Sequence, residues 1–357
     1  MKKLFQFLLF FGLGITILTL VFRNQNAAFQ EQCRLDGTPG GQCSLSAKLL
    51  NDFSSVHLGW ILAVVVAFTV SNVFRALRWQ MLLAPMGHQV RFSNSFFTIL
   101  LGYFANLGFP RMGEVVRAGA LARYEPLPIE HSMGTLVIDR LMDFICLCLV
   151  VALAFVLEGD VLLRFFSQGK NGAESGTSWV ALLSSPVVLS LFGLFAIGCV
   201  IVFSLRKKLA QTIVFQKIAS LAQGFWEGFR SVFRLKSPAL FLLYSLGIWL
   251  MFYFQCYFNL QAFAPTAHLG ASAALMVFVF GTLGFVIPSP GGMGTFHALC
   301  IAGLGLYGVS GSDGFSYANI AFFTVQIFYN LLGGTLALVL LPMLNKRAPG
   351  QSGMLSR

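Results

Sequence analysis

Apolar runs recur along the chain with polar connectors between them, and several reach the roughly 20 residues that cross a bilayer core as a helix. Uninterrupted runs cover residues 4–22, 58–82, 133–157, 179–205, 239–260 and 316–341. Two further segments are broken. Residues 92–109 are apolar, Pro110 and Arg111 interrupt them, and a shorter arm follows at 113–124; residues 269–287 meet Pro288-Ser-Pro-Gly-Gly-Met-Gly294 before a second arm to 307. The arm at 113–124 is too short to cross, so the first pair predicts a hairpin that enters and leaves on one side. Backbone freed at such a break must be buried in protein or line a wet cavity. The pattern therefore predicts an all-α polytopic integral membrane protein. It has about six spanning helices, two broken re-entrant hairpins, and eight or more apolar segments.

The connectors set the topology and divide the chain into residues 1–57, 58–157, 158–238, 239–345 and 346–357. Lys2 and Lys3 precede the first run, which is followed by no clear small-residue cleavage site and is read as an uncleaved helix with a cytoplasmic N-terminus. In residues 23–57 the bases Arg23, Arg34 and Lys48 balance Glu31, Asp36 and Asp52, which suits the outside. Cys33 and Cys43 flank the turn Thr38-Pro-Gly-Gly41 there, and in an oxidising compartment they are expected to close a small disulfide loop, against the alternative of two unpaired thiols. The other five cysteines lie in or beside apolar runs, where packing explains them. Trp60 and Trp79 read as interfacial anchors at opposite ends of one helix, and Arg75, Arg78 and Arg91 mark its cytoplasmic exit. Residues 206–236 carry seven bases against Glu227. Val214, Ile218, Leu221, Phe225 and Phe229 fall there at helical spacing, which fits an amphipathic helix on the inner leaflet or a plain connector. Lys346 and Arg347 place the C-terminus in the cytoplasm as well.

Residues 58–157 read as helix, broken hairpin, helix, and so do residues 239–341, with opposite starting sides by charge. Two such units form an inverted repeat. In transporters, paired Pro/Gly-interrupted segments of this kind point to a substrate site near the midplane.

Composition narrows the class. Of 357 residues, 57% are hydrophobic and 38 are Phe, too much apolar surface for one soluble core. The net charge of +11 resides in short segments beside apolar runs, so it serves topology and excludes nucleic acid. The sequence holds no His-Glu-x-x-His, no Cys-x-x-Cys and no Gly-x-Ser-x-Gly, so no catalytic residue, metal or cofactor is expected, and the chain does not read as an enzyme.

Only 10% of residues are charged, yet Arg111, Glu114, Arg117, Asp139, Arg140 and Asp143 cluster around the first break. Charge at that depth asks for a reason. A lipid headgroup crossing the bilayer carries phosphate, which the planar fork of Arg111, Arg117 or Arg140 pairs in two places. Glu114, Asp139 and Asp143 would neutralise these arginines in an empty site, bind an amine headgroup or take up a coupling proton. The competing reading pairs Arg111 with Glu114 and Arg140 with Asp143 at i, i+3 spacing, purely to fix the hairpin. Backbone N–H groups at Pro110 and in the turn at Gly291, Gly292 and Gly294 would add donors for an anion. In the second unit Gln326 and Asn330 share a helical face and His297 follows the glycine turn, either as site residues or as ordinary interhelical hydrogen bonders.

Asn106-x3-Pro-Arg-x-Gly-Glu-x2-Arg117, then Asp139-Arg140-x2-Asp143, then Pro288-x-Pro-Gly-Gly-x-Gly294 resemble the integral-membrane family named for the transmembrane region of lysylphosphatidylglycerol synthase. That family includes the lipid-flippase half of the multiple peptide resistance factor. The resemblance adds Asn106 to the candidates as a member of its motif, and Ser289 joins them from within the Pro288–Gly294 turn. It implies movement of a phospholipid or lipid-linked headgroup between leaflets of the bacterial cytoplasmic membrane. Lysyl transfer belongs to a separate soluble domain and is not implied. Some relatives are joined to glycosyltransferases, which keeps lipid-linked sugars open. Carriage of another small anionic solute and a non-transporting partnership with an envelope-synthesis enzyme are the alternatives.

Overall fold

A computed structural model describes residues 2–35, 43–108, 112–168, 235–287 and 289–345. The expected return helix at 179–205, the basic segment at 206–234, Arg111, Pro288 and the tail at 346–357 lie outside the described residues. Among the described residues every regular element is helical, and four helices are long and apolar enough to cross a membrane: Leu58–Met86, Ile129–Gly159, Pro238–Ala262 and Gly311–Leu344.

Helix α1 (Lys2–Leu35) runs through much of the region expected to be a loop. Residues 23–32 are rich in Ala, Gln and Glu and hold neither Gly nor Pro, so nothing stops the helix, and Arg34 pairs with Glu31 at 2.6 Å. A short α2 (Leu45–Ser54), capped by Ser44, occupies the rest of that connector. Cys33 and Cys43 are both buried, and the disulfide expected between them is not formed: the helix that carries Cys33 continues through the region read as a loop.

The first unit contains α3 (Leu58–Leu83), α4 (Phe92–Gly108), α5 (Gly113–Tyr124) and α6 (Ile129–Gln168), the last with a kink at Glu158. Pro85 ends the helical run after α3, and Gly87, at φ 84°, turns the chain. Helices α4 and α5 form a hairpin whose arms touch at Gly102 and Gly113. A Cβ on Gly102 would sit 2.8 Å from the Gly113 carbonyl oxygen, and one on Gly113 would collide with the Gly102 carbonyl.

The second unit repeats this order with α7 (Pro238–Ala262), α8 (Ala271–Val286), α9 (Thr295–Gly305) and a long final helix. That helix comprises α10 (Gly311–Phe322), a π-helical turn (Phe323–Tyr329) and α11 (Asn330–Leu344). In the α8–α9 hairpin, Gly281 and Gly284 receive Phe296, and Gly303 receives Phe280.

The lead helices α3 and α7 pack antiparallel along their length. His57 N–H donates to the Ala262 carbonyl at 2.9 Å, Trp60 stacks on Phe258, Phe68 on Phe252 and Phe74 on Tyr244, and Arg78 reaches Ser245 at 3.2 Å. The hairpins cross over. Helix α4 packs on α11, with Leu100 over Gly333, Phe104 over Gly334, and the Asn94 and Asn345 amides paired at 2.7 and 3.0 Å. Reciprocally, α8 packs on α6, where Cys146 and Ala154 join Leu275, Met276 and Val279.

These contacts bring the end of α4 and the start of α9 to one level. The antiparallel run of α4 along α11 carries its end toward the π-helical turn, while Phe296 and His297 at the start of α9 pack on Phe322 just before that turn. The Pro290–Gly292 turn itself contacts α4. A π-helical turn is a local widening that recurs at functional sites; this one lies midway along the final helix.

Candidate binding site

The first unit's charges assemble through α3, whose contribution was not anticipated. Arg75 and Arg78, read from sequence as topology marks, are 3% and 0% exposed and point into the protein. Just over one helical turn separates Asp139 from Asp143 on α6, so both carboxylates meet this pair. Arg78 binds Asp139 Oδ1 through Nε (3.0 Å) and also through Nη2, which reaches Asp143 Oδ1 at 2.8 Å. Arg75 Nη1 donates to Asp139 Oδ2 (3.1 Å) and Asp143 Oδ2 (2.9 Å). Arg117 Nη1, from α5, donates to Asp139 Oδ2 at 3.2 Å. Asp139 is thus fully buried and accepts from three arginines. Its lone pairs are taken, so it holds arginines and is poorly placed to take an amine headgroup or a proton.

Arg117 lies face-on over Trp79, its Cζ 3.8 Å from the ring centroid. Trp79 is fully buried and its Nε1–H donates to Thr135 Oγ1 at 2.9 Å. The expectation that Trp79 anchors α3 at the interface is therefore overturned: α6 and the Arg117 plane cover it. The outer part of the cluster is half-exposed, with Arg140 Nε on Glu114 at 2.6 Å and Arg140 Nη1 3.6 Å from Asp143. The i, i+3 pairing of Arg140 with Asp143 is present, and the described partner of Glu114 is Arg140.

Three buried arginines face two aspartates, and the Arg140–Glu114 pair is neutral, leaving an excess of one positive charge. Burying a charge without full pairing is costly. The excess has a location: Arg117 Nε and Nη2 and Arg75 Nε are buried N–H donors with no hydrogen-bond partner among the described residues.

The other predicted residues take different places. Asn106 Oδ1 accepts from Gly113 N–H at 2.8 Å and locks the first hairpin's turn. At the second break, Gly291, Gly292 and Gly294 hold φ of 57°, 80° and 83°, a left-handed run that suits glycine. Ser289 Oγ lies 2.7 Å from Thr295 Oγ1, whose hydroxyl donates to the Gly284 carbonyl at 2.7 Å. This turn carries no charge, and among the described residues its side-chain hydrogen bonds stay within the second hairpin. Asn330 is buried at the end of the π-helical turn, its amide 3.3 Å from Gln326 Oε1. Arg75 and Arg78 could have been found from spacing alone, since two arginines at i, i+3 match two aspartates at i, i+4 on another apolar helix.

Two polar groups flank the ends of the molecule. On one side Lys48 Nζ bridges Asp52 and Asp313, each at 2.7 Å. Burial opposes its charge, but the hydrogen bonds and charges of Asp313 and Asp52 overcome this and hold the Lys48 ammonium above its usual range. On the other side His88 Nε2 lies 3.0 Å from His131 Nδ1. Burial, then the neighbouring His131, pushes His88 below the usual histidine value, against a bond to the Pro126 carbonyl.

A family model described as the lysylphosphatidylglycerol synthase TM region matches residues 45–333, most of the chain. The chain belongs to that family. The match begins at α2 and ends within α11, so it contains both hairpins and the whole arginine and aspartate cluster. Among curated relatives, a UPF0104 membrane protein of Methanocaldococcus jannaschii is 30% identical over 135 residues, 36% of this chain and 37% of that protein. The matched stretch thus spans little more than a third of that relative's length. No solved structure matches the chain. Family membership establishes a multi-pass membrane protein; the family model is of a synthase's TM region, and the relative's name states no activity.

Proposed function

We propose that this protein is a non-enzymatic lipid flippase or lipid transporter, moving a phosphate-bearing lipid or lipid-linked headgroup between leaflets of the cytoplasmic membrane. The observation that carries the reading is Arg117, 4% exposed, with Nε and Nη2 unpartnered beside a cluster of net positive charge. Two adjacent N–H groups on one guanidinium edge match two oxygens of a phosphate. Arg75 Nε offers a third donor. Asp139 and Asp143 hold these arginines in register while the site is empty.

The architecture supports transport. On this reading the two hairpins are re-entrant, their tips meet at the midplane beside the π-helical turn, and the two units are an inverted repeat that rocks about the α3–α7 pair. Antiparallel lead helices and reciprocal packing of each hairpin on the other unit's last helix support that reading. On the same reading both termini lie in the cytoplasm and the chain has six spans. An envelope-synthesis enzyme is a fitting partner to supply or consume the lipid.

Phosphatidylcholine vesicles containing the purified chain and a trace of acyl-labelled phosphatidylglycerol test this, with a membrane-impermeant quencher reading the outer leaflet. Wild type is expected to accelerate exchange, and Arg117→Ala to abolish it. That variant keeps both aspartates paired by Arg75 and Arg78, so it folds. Equal exchange by both proteins would overturn the assignment.

A further inference from the structure

The second hairpin carries a titratable group that the arginine cluster does not use. Across α8, the glycine turn and α9, residues 271–305, the ionisable side chains are His297 and the thiol of Cys300 one turn further on. Both are buried. His297, 2% exposed, follows the left-handed glycines and stands in the first turn of α9. Its ring is walled by Phe322 at 5.0 Å, Phe296 edge-on at 5.8 Å and Phe315 at 6.3 Å between centroids. An ionisable side chain held in the apolar interior of a membrane protein asks for a function.

The hydrogen bonds decide which ring nitrogen carries hydrogen. The side chain of Asn319, on α10, bonds the imidazole, and its Nδ2 already donates to the Phe315 carbonyl at 2.8 Å. Asn319 Oδ1 is therefore the acceptor, and the ring nitrogen that donates to it is Nε2, because Nδ1 is buried without a hydrogen-bond partner. Neutral His297 thus points a free lone pair from Nδ1 into an aromatic cage. Leaving a buried acceptor unmade is costly. The ligand that fits a lone pair with no room around it is a proton. Protonation makes Nδ1 a donor, leaves Nε2–H on Asn319, and sets the positive charge among three rings that attract a cation. The cage serves both states of the ring.

Neighbouring charges are already engaged. Helix α8 brings no ionisable side chain, and α9 brings only Cys300. On α10, Asp313 is held by Lys48 and Ser310, each at 2.7 Å, and the Tyr317 hydroxyl reaches the Cys256 carbonyl at 3.4 Å. Helix α1 packs on α9, and its Phe22 meets Phe315 at 5.9 Å. It carries Lys2 and Lys3 at its start, an exposed Arg23 beside Phe22, and Glu31 paired with Arg34. The final helix links this cage to the arginines: His297 rests on Phe322 before the π-helical turn, and α4 of the first hairpin rests on α11 beyond it.

We infer that His297 is a proton-binding site that powers transport, taking a proton on Nδ1 from one side of the membrane and releasing it to the other as the headgroup moves at the first hairpin. Only the Nδ1–H bond forms and breaks. This rests on the transport reading and names its energy source.

The test uses the full chain in phosphatidylcholine vesicles with acyl-labelled phosphatidylglycerol, a pH difference of about one unit, and potassium with valinomycin to clamp the voltage. One proton per lipid would hold the two leaflets at a ratio of up to about tenfold, since one pH unit is a tenfold difference in proton activity. Wild type is expected to gather the label in one leaflet, and in the other when the gradient is reversed, beyond any shift in protein-free vesicles. His297→Gln, which keeps a polar side chain but has no titrating nitrogen, is expected to show no such shift. The steady-state ratio does not depend on how much protein folds. Wild type that exchanges the label yet settles evenly overturns the proton site alone, whereas wild type that exchanges nothing overturns the transport reading with it. A gradient-driven ratio kept by His297→Gln also overturns the site. Where that variant exchanges no lipid, Asn319→Leu decides, because it keeps the ring and removes the acceptor of Nε2–H: a reduced ratio supports the site, and a full wild-type ratio overturns it.

Discussion

The two hairpins have the same outline and are held by opposite means. The first is fastened by charge: Arg117 of its short arm joins Arg75 and Arg78 of α3 on the carboxylates of α6. The second is fastened by shape, with small residues of α8 accepting Phe296, and by one hydroxyl, Thr295, closing onto the Gly284 carbonyl. Packing of that kind fixes geometry without placing charge in the membrane. Ion pairing fixes geometry too, but it leaves donors over wherever the numbers of positive and negative groups differ. On the proposed reading the first hairpin is therefore the one that meets a charged ligand, and the second is its counter-support. Two units of like topology can divide the labour this way because each packs its hairpin on the other's last helix.

The contrast is broken most directly at Asp139. Asp139→Asn leaves three buried arginines around one remaining carboxylate, and loss of a buried partner costs about 3–5 kcal/mol. Thermal unfolding in detergent should show that loss, with no single substitution at the second break matching it. A change within about 0.5 kcal/mol, the ordinary range of a surface substitution, would mean that charge does not fasten the first hairpin.

Glycine replacements sharpen the comparison at intermediate size. Gly113→Ala drives a methyl into the Gly102 carbonyl and the Asn106 amide, and overpacking of this sort costs about 1–3 kcal/mol. Gly292→Ala adds a left-handed backbone penalty of about 1–2 kcal/mol to a collision with the Phe285 ring, which can turn aside. Both should lower the unfolding temperature. Only Gly113→Ala should also weaken anion binding, because it displaces α5 and with it Arg117. Equal effects on binding would show that the charged hairpin is not special.

The smallest effect is expected at the Lys48 bridge, which ties α2 to the start of the final helix. Lys48→Met should cost about 0.5–1 kcal/mol, in the range of a partly exposed ion pair. Because the folded state holds Lys48 above its ordinary value, the stability it adds is fully present below the unfolded pKa and is lost as pH rises through the folded one. The gap between wild type and Lys48→Met should thus stay constant through neutral pH and close in strong alkali. A gap that persists unchanged into strong alkali would show that the Lys48 charge does not tie α2 to the final helix.

Much of this was legible from residue order. Helices α3, α4, α5, α7 and α8 lie within a few residues of the apolar runs that predicted them, because in a membrane each backbone must satisfy itself locally and a hydrophobic stretch of given length has few alternatives. Pro110 and the Pro288–Gly294 stretch announced the hairpins for the same local reason. Asp139, Asp143 and Arg117 stood out because charge is rare there. What the sequence could not decide was which charges meet. Arg75 and Arg78 near the end of an apolar helix look the same whether they face lipid headgroups or the protein, since the positive-inside pattern and a buried ion pair both place arginine at that point. Trp79 was misplaced on the same ground, an aromatic near a helix end being either an anchor or a wall. The packing of α3 against α5 and α6 settled each of these by closing water and lipid out. It also left Arg117 with unpaired atoms, a property of three-dimensional arithmetic that residue order alone does not carry.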